Sequence, residues 1–303
     1  MKMMTIRFLK EGEKAVLPKG VKLLPKGVQR RILERYYPFR LEGEVAVLQT
    51  TAENSFHWRK QSAKLLEKLK KNGTEIIIPP AEGELPWDIL PLATGRKLTT
   101  LFAFEGAKEA LKRQGKDPAA CRYLLAGGGE EMWRSALLSM GTWVNHLAIF
   151  TEDAGKAKEL EQELFQEYGL LTEVFASPKN PAFGQADVVF GCGMEQRKYE
   201  HMLKDGAVWL DLIGNRPVLR KLTENRPDAV VCDGFFFCRG ETQMEGRRAE
   251  AEAFLSCPIF RENQNFPLHE AAGTEILSAL QEMGYAVSGF SVHGKRVKIR
   301  RKP

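Results

Sequence analysis

At 303 residues, with 43% hydrophobic and 28% charged side chains, the chain has length for about two domains and the balance of a folded globular protein with a large core. No apolar run approaches the roughly twenty residues of a membrane span, and residues 1–10 lack the apolar centre of a secretory signal, so a cytoplasmic protein with no membrane partner is expected. Five cysteines, at 121, 192, 232, 238 and 257, are odd in number and widely spaced, which suits reduced thiols better than a disulfide framework. Cys232 and Cys238 fit neither CxxC nor a usual zinc spacing, and with no HExxH or Walker A sequence a metal site is not expected.

The net charge of +6 is uneven. Residues 1–40 hold eleven Lys or Arg against three Glu, the last nine residues carry six basic side chains, and the remainder is mildly acidic. A nucleic-acid or anionic-surface role is the functional reading of these ends. The plainer reading, a solvated N-terminal face and a C-terminal edge strand whose cations prevent stray pairing, outweighs it. No interleaved aromatics accompany the tail, which weakens a stacking mode of binding nucleic acid.

In chain order, LPKG at 17–20 and again at 24–27 predicts two consecutive turns, and residues 29–37 a short basic helix ended before Pro38. An alternating strand at 44–49, a helix at 54–71 and a strand at 74–78 predict a βαβ unit and hence a small N-terminal α/β domain. Asn54 or Ser55 is the expected helix cap, and His57 beside Trp58 reads as structural. Lys60, Lys64, Lys68 and Lys71 share the wet side of that helix, opposite Trp58, Ser62, Leu65, Leu66 and Leu69. Residues 82–96 are rich in Pro and Gly, 98–114 read as mostly helical, and a domain boundary falls near residue 100, giving 1–103 and 104–303. A substrate cleft would lie between two such domains.

The most informative stretch is RYLLAGGGEEMWRSALLSMG, residues 122–141. An apolar run meets three glycines, and Met132, Trp133, Ala136, Leu137 and Met140 then recur at helical spacing, so strand, tight turn and helix are expected. Glycines at such a turn bring backbone close to a ligand, and the N–H groups that open the helix favour a diphosphate. Gly127 and Gly129, with Gly128 between them, fill the first two glycine positions of G-x-G-x-x-G, but the third falls on Met132. A second strand at 146–150 ends at Thr151, Glu152 and Asp153, where a ribose hydroxyl would need an acceptor. A helix carrying Ala157, Leu160, Leu164 and Tyr168 follows and ends at Gly169. Further strands at 172–176, 186–190, 207–212 and 229–232 alternate with connecting segments, which implies a parallel sheet with helical crossovers. Gly191, Cys192, Gly193 and Asp211 then fall at the carboxyl edge, where such sheets bind ligands.

From about residue 106 to 217 this pattern resembles the two-domain dehydrogenases of the shikimate dehydrogenase and methylenetetrahydrofolate dehydrogenase type. The residues that carry the likeness are Phe104, Gly106 and Leu111 before the glycine turn, ADVVFGCG at 186–193, and DGAVWLDLIGNRP at 205–217 with Asp211 ending its strand. The resemblance implies an α/β fold in which the small N-terminal α/β domain precedes a Rossmann-type doubly wound parallel sheet. It also implies a late helix at 267–283 returning toward the N-terminal domain, and NAD or NADP at Gly127, Gly128, Gly129, Thr151, Glu152, Asp153, Cys192 and Gly193. The family's NADP-specific members place arginine where this chain has Glu152, and a carboxylate repels phosphate, so NAD is favoured over NADP. As a plainer reading, Glu152 and Asp153 merely open the helix from Ala154.

The catalytic sets do not carry over. Counting back from Gly106 puts Ala103 where shikimate enzymes have their aspartate, and Gly214 stands where they have a tyrosine. In the folate pattern Ser55 and Trp58 match in position, but Ser62 replaces the lysine. Positional matching leaves Asp211 and Lys60 as candidate proton-transfer residues. Three consecutive phenylalanines at 235–237 are too many for one face of a strand, so one ring is expected to meet a ligand, a partner subunit of a homodimer, or the other domain; packing against the following helix is the safer view. Arg239 and Glu241 could anchor a carboxylate, while Cys238 has no neighbouring His to activate it. Three functions follow: an NAD-dependent oxidoreductase acting on a small acidic metabolite, a non-catalytic nucleotide or metabolite binder on the same frame, and an S-adenosylmethionine-dependent methyltransferase, which the long region before residue 100 disfavours.

Overall fold

The computed structural model describes residues 2–10, 13–36, 39–49, 58–80, 89–127, 144–151, 154–176, 181–193, 200–263 and 270–299. The chain divides into two compact units, Met1–Thr94 with Glu250–Pro258, and Gly95–Ala249 with Ile259–Pro303. The fold is mixed α/β.

The first unit contains β1 (Met3–Phe8), α1 (Lys26–Tyr36), β2 (Phe39–Glu42), β3 (Val45–Leu48), α2 (Trp58–Lys71) and β4 (Ile76–Ile78). Its strands lie in the order β2-β3-β1-β4. The expected strand, helix and strand are present, yet β3 and β4 are not neighbours: both pair in parallel with β1, which runs between them. Only Met4 and Ile6 of β1 turn fully inward, each 1% exposed, and so short an alternation leaves little trace in the sequence. From α2, Leu65, Leu66 and Leu69 join Met4, Ile6, Ala46, Leu48 and Ile77 in one core. Each buried leucine or isoleucine of this core contributes about 1.5–3 kcal/mol. The second LPKG does not form a free turn. The Pro25 carbonyl accepts from the Val28 and Gln29 amides at 2.9 and 3.0 Å, and α1 starts at Lys26, before the expected residue 29; a proline's fixed φ suits the first turn of a helix.

The second unit is built on six parallel strands, β5 (Arg122–Ala126), β6 (His146–Phe150), β7 (Thr172–Phe175), β8 (Val188–Gly191), β9 (Val208–Asp211) and β10 (Val230–Cys232). They lie in the order β10-β9-β8-β5-β6-β7, so the chain runs outward from β5 to one edge, returns, and runs outward to the other. That is the doubly wound arrangement, with its switch point between β5 and β8. The expected single helix at 98–114 is two, α3 (Arg96–Leu101) and α4 (Ala103–Arg113), separated at Phe102. On one face of the sheet, Phe104 of α4 packs on Tyr123 at 5.7 Å between centroids, and Tyr123 stacks on Phe190. On the other face, Leu124, Phe150, Phe175 and Trp209 pack with Phe183 of the helix α6 (Pro181–Gln185) and with Leu219 and Leu222 of α7 (Arg216–Asn225). The helix following β6, α5 (Ala154–Tyr168), ends as expected at Gly169, whose φ is +66°. The helix read at 129–141 lies outside the described residues.

Beyond β10 the chain forms an antiparallel sheet that the sequence reading did not anticipate. It comprises β11 (Gly234–Arg239), β12 (Thr242–Glu245), β13 (Tyr285–Val292) and β14 (Lys295–Val297), ordered β12-β11-β13-β14. The connection from β12 to β13 passes through α8 (Gly246–Ser256), α9 (Pro258–Glu262) and α10 (Glu270–Glu282). The three phenylalanines obey the strand period after all. Phe235 and Phe237 are buried, meeting Phe290 at 5.8 Å and Phe102 at 5.3 Å, while Phe236 points the other way beneath the Arg296 guanidinium at 5.2 Å. The antiparallel sheet offers two faces, so the three rings divide between them, and Arg296 lies over the ring on the second. The basic C-terminal segment contributes β14, at the edge of this sheet.

Candidate functional site

The carboxyl ends of β5, β8 and β9 lie side by side, since Ala126 is in register with Gly191, and Gly191 with Asp211. Pairing extends one residue past each strand: the Gly127 amide donates to Phe150 O at 2.8 Å, Thr151 to Phe175 O at 3.1 Å, Cys192 to Ala126 O at 2.9 Å and Leu212 to Gly191 O at 3.0 Å. The chain then turns away at residues that favour glycine, with Gly127 at φ +79° and Gly193 at φ +101°. Gly127, Thr151, Cys192, Gly193 and Asp211 are thereby brought to one edge of one sheet, on both sides of its switch point. Gly128, Gly129, Glu152 and Asp153 lie outside the described residues. Lys60 belongs to α2 in the first unit, and its side chain is likewise outside the description.

The two glycines around Cys192 serve different ends. A Cβ on Gly191 would come within 3.0 Å of the Trp209 ring, so this glycine makes room for an indole that is 1% exposed. Gly193 instead permits the turn. The Cys192 thiol is fully buried; burial, and secondarily the charge of Asp211, push its pKa well above the ordinary range, which leaves only its backbone to meet a ligand. Cys232 is buried alike and its thiol donates to Trp209 O at 3.7 Å.

Asp211 is 4% exposed, and its carboxylate accepts three backbone amides: Ile213 and Gly214 on Oδ1 at 2.9 and 2.7 Å, and Asn215 on Oδ2 at 3.0 Å. It thereby ties down the loop that leads into α7, whose own cap is the Asn215 side chain accepting from the Val218 amide. Burial raises the Asp211 pKa, the three amides pull it back, and Asp233 raises it further, with burial prevailing. Gly214 has φ +79°, and a Cβ there would meet the Arg96 guanidinium at 2.8 Å. The place next to residue 214 is thus filled by an arginine from α3.

Asp233, which follows β10, was passed over in the sequence. Its carboxylate accepts the His293 amide at 3.1 and 3.0 Å and stands 3.6 Å from His293 Nδ1. His293 (φ +50°) and Gly294 (φ +74°) form the two-residue turn between β13 and β14. The signal was present as a residue-plus-glycine pair between alternating segments, VHGK at 292–295.

A cavity of about 600 Å³ opens at the opposite, amino end of β5, β6 and β7. Its border mixes Arg122 and Lys158 with Glu161 and Glu173, so it offers no consistent charge to a ligand. Open α/β sheets bind ligands at the carboxyl edge, and we place the candidate site there on that ground. Among the described residues no group of three or more His, Cys, Asp or Glu is arranged to hold a metal ion, and no helix is long and apolar enough to cross a membrane.

No family model matches the sequence, and no curated protein matches it. Solved structures to which the chain is similar include shikimate dehydrogenases and other NAD-dependent reductases at low identity. The 5-ketofructose reductase of Gluconobacter sp. strain CHM43 is 15% identical, with 92% of this chain and 99% of that one covered and a TM-score of 0.37. For the shikimate 5-dehydrogenase of Listeria monocytogenes, solved with shikimate and NAD, the values are 11%, 93%, 95% and 0.35. The Thermococcus litoralis Δ1-pyrroline-2-carboxylate reductase, solved with NADH and L-proline, is 14% identical at a TM-score of 0.31; the match takes in 41% of this chain and spans 40% of that chain's length.

Proposed function

We propose that the second unit binds a nicotinamide dinucleotide at the switch point between β5 and β8, and that the chain is an oxidoreductase of a small acidic metabolite. The observation that carries this reading is the strand order itself, which sets Gly127 at φ +79° and the Cys192–Gly193 turn on opposite sides of the carboxyl-edge crevice. Gly127, Thr151, Cys192 and Gly193 would line the crevice, the amides of the first three being spent on strand pairing, and Gly128 and Gly129, which continue the turn, would supply amides to the diphosphate. Glu152 and Asp153, by sequence position, would accept from a ribose hydroxyl and favour NAD over NADP. When bound, the cofactor supplies hydride transfer, and the protein supplies position. Asp211 acts here by fixing the loop that leads from β9 into α7, and Lys60 is the remaining candidate for moving a proton.

A second reading, a binder without turnover, is favoured by one feature: both Asp211 oxygens are committed to loop amides. Thermal-shift titration with NAD, NADP and S-adenosylmethionine tests the binding half of the proposal. A ligand at one hundred times its dissociation constant adds about 2.7 kcal/mol, so NAD alone should give a clear rise. No rise with either dinucleotide, or a rise with S-adenosylmethionine only, would sink it. Given NAD binding, absorbance at the nicotinamide band over a panel of hydroxy and keto acids separates the oxidoreductase from the silent binder.

A further inference from the structure

In α1, Val28, Ile32 and Tyr36 recur at four-residue spacing and so run along one side of the helix, with Leu23 and Leu24 just ahead of its first turn. Ile32 is half-buried, and the groups on either side of it are exposed. Tyr36 is 64% exposed, Val28 42%, Leu23 89% and Leu24 39%, and none of the described side chains of α1 is buried. In the same unit α2 does the opposite, burying Leu65, Leu66 and Leu69 completely. The exposed apolar side sits in a field of one sign: residues 18–36 carry six Lys or Arg against a single Glu, and Lys19, Lys22, Lys26 and Arg31 are all exposed.

We propose that residues 18–36 dock on an anionic lipid surface. The apolar side of α1 enters the headgroup layer while the cations around it meet lipid phosphates. Eleven residues make a helix about 16 Å long, far short of a bilayer core, so α1 lies in the plane of the surface. Phosphate attraction by itself would also suit a nucleic acid. However, the exposed groups between the cations are aliphatic, and bases stack on aromatic rings, of which this side offers Tyr36 alone. A nucleic acid would leave Leu23 and Val28 in water; a lipid headgroup layer removes them from it.

The test is flotation of the whole chain with vesicles of phosphatidylcholine alone and of phosphatidylcholine with about one-third phosphatidylglycerol. Binding should be at least about tenfold stronger to the anionic vesicles and weaken as added salt screens the charges. Leu23→Glu should reduce it about tenfold with an unchanged melting temperature, because that side chain makes so little contact in the fold. The paired variant Lys22→Glu with Lys26→Glu should reduce it by a similar factor without touching an apolar group. Equal binding to both vesicle types, no binding to either, or binding that survives both variants overturns the proposal. So does a chain that shifts RNA or DNA in a gel and ignores Leu23→Glu, or one whose dimer that substitution splits while vesicles are ignored throughout.

Discussion

Gly106→Ala sets two ordinary effects against each other at a position where the structure decides the sign. Gly106 lies inside α4, and alanine in a helix interior is favoured over glycine by about 1 kcal/mol. An alanine Cβ at this point would stand 2.3, 2.6 and 3.0 Å from Cζ, Cε1 and Cε2 of Phe235, where carbon contacts settle at about 3.5–4.0 Å. The ring would have to withdraw by more than about 1 Å on that account. It is 1% exposed and held edge-to-face by Phe237 at 6.2 Å and Phe290 at 5.8 Å, so it has nowhere to go. Overpacking of this kind costs about 1–3 kcal/mol or more, and with three ring atoms inside contact distance the upper end applies. After the helical gain is subtracted, a net loss of about 2 kcal/mol is expected, a fall in Tm of about 4–8 °C for a unit of this size. Thermal unfolding followed by circular dichroism measures it. In Gly106→Ala with Phe235→Leu the loss should be smaller than the sum of the single losses, since the smaller side chain vacates the contested volume. A Tm equal to or above that of the parent would refute the packing argument.

Two further outcomes are expected. Asp211→Asn keeps an oxygen for the Ile213 and Gly214 amides but loses the acceptor of Asn215, whereas Asp211→Ala orphans all three; chemical denaturation should show losses of about 1 and about 2–3 kcal/mol, and a harmless alanine would mean that the loop does not depend on this carboxylate. Glu13 is held down at about 2 by Arg7 first, then by the Lys10 amide and Arg40, against an ordinary 4.5. A depressed carboxylate contributes stability that is present above the unfolded value and lost as pH falls from 4.5 through about 2, so Tm should decline in that window and Glu13→Gln should flatten the decline. An unchanged slope in the variant would assign the acid sensitivity to other groups.

Much of the doubly wound sheet was legible because its strands are buried on both faces. The runs at 123–126, 147–150 and 188–190 are apolar without interruption, and turn residues close them. Gly127 was recognisable for the same reason, since a glycine directly after such a run has few other uses. The antiparallel sheet was not legible. Most of its strands are short, β13 begins 40 residues after β12 ends, and the apolar Phe236 hides the inward and outward alternation, its ring lying under Arg296 of another strand. Asp211 could be placed at a strand end but not given its partners, because the amides it binds become available only when residues 213–215 turn back on it. Gly191 could be placed at the carboxyl edge but not given its role, because the Trp209 ring that takes the space of a side chain there comes from another strand.

The sequence by itself determined the order of the strands that build the larger sheet, their parallel character and the positions where that chain must turn, because periodicity and glycine placement are local properties. Only the tertiary structure decided which strands are neighbours, which glycines make room for a ring and which permit a turn, and which carboxylate is spent on backbone. Those outcomes depend on contacts between residues far apart in the chain, which no local pattern encodes.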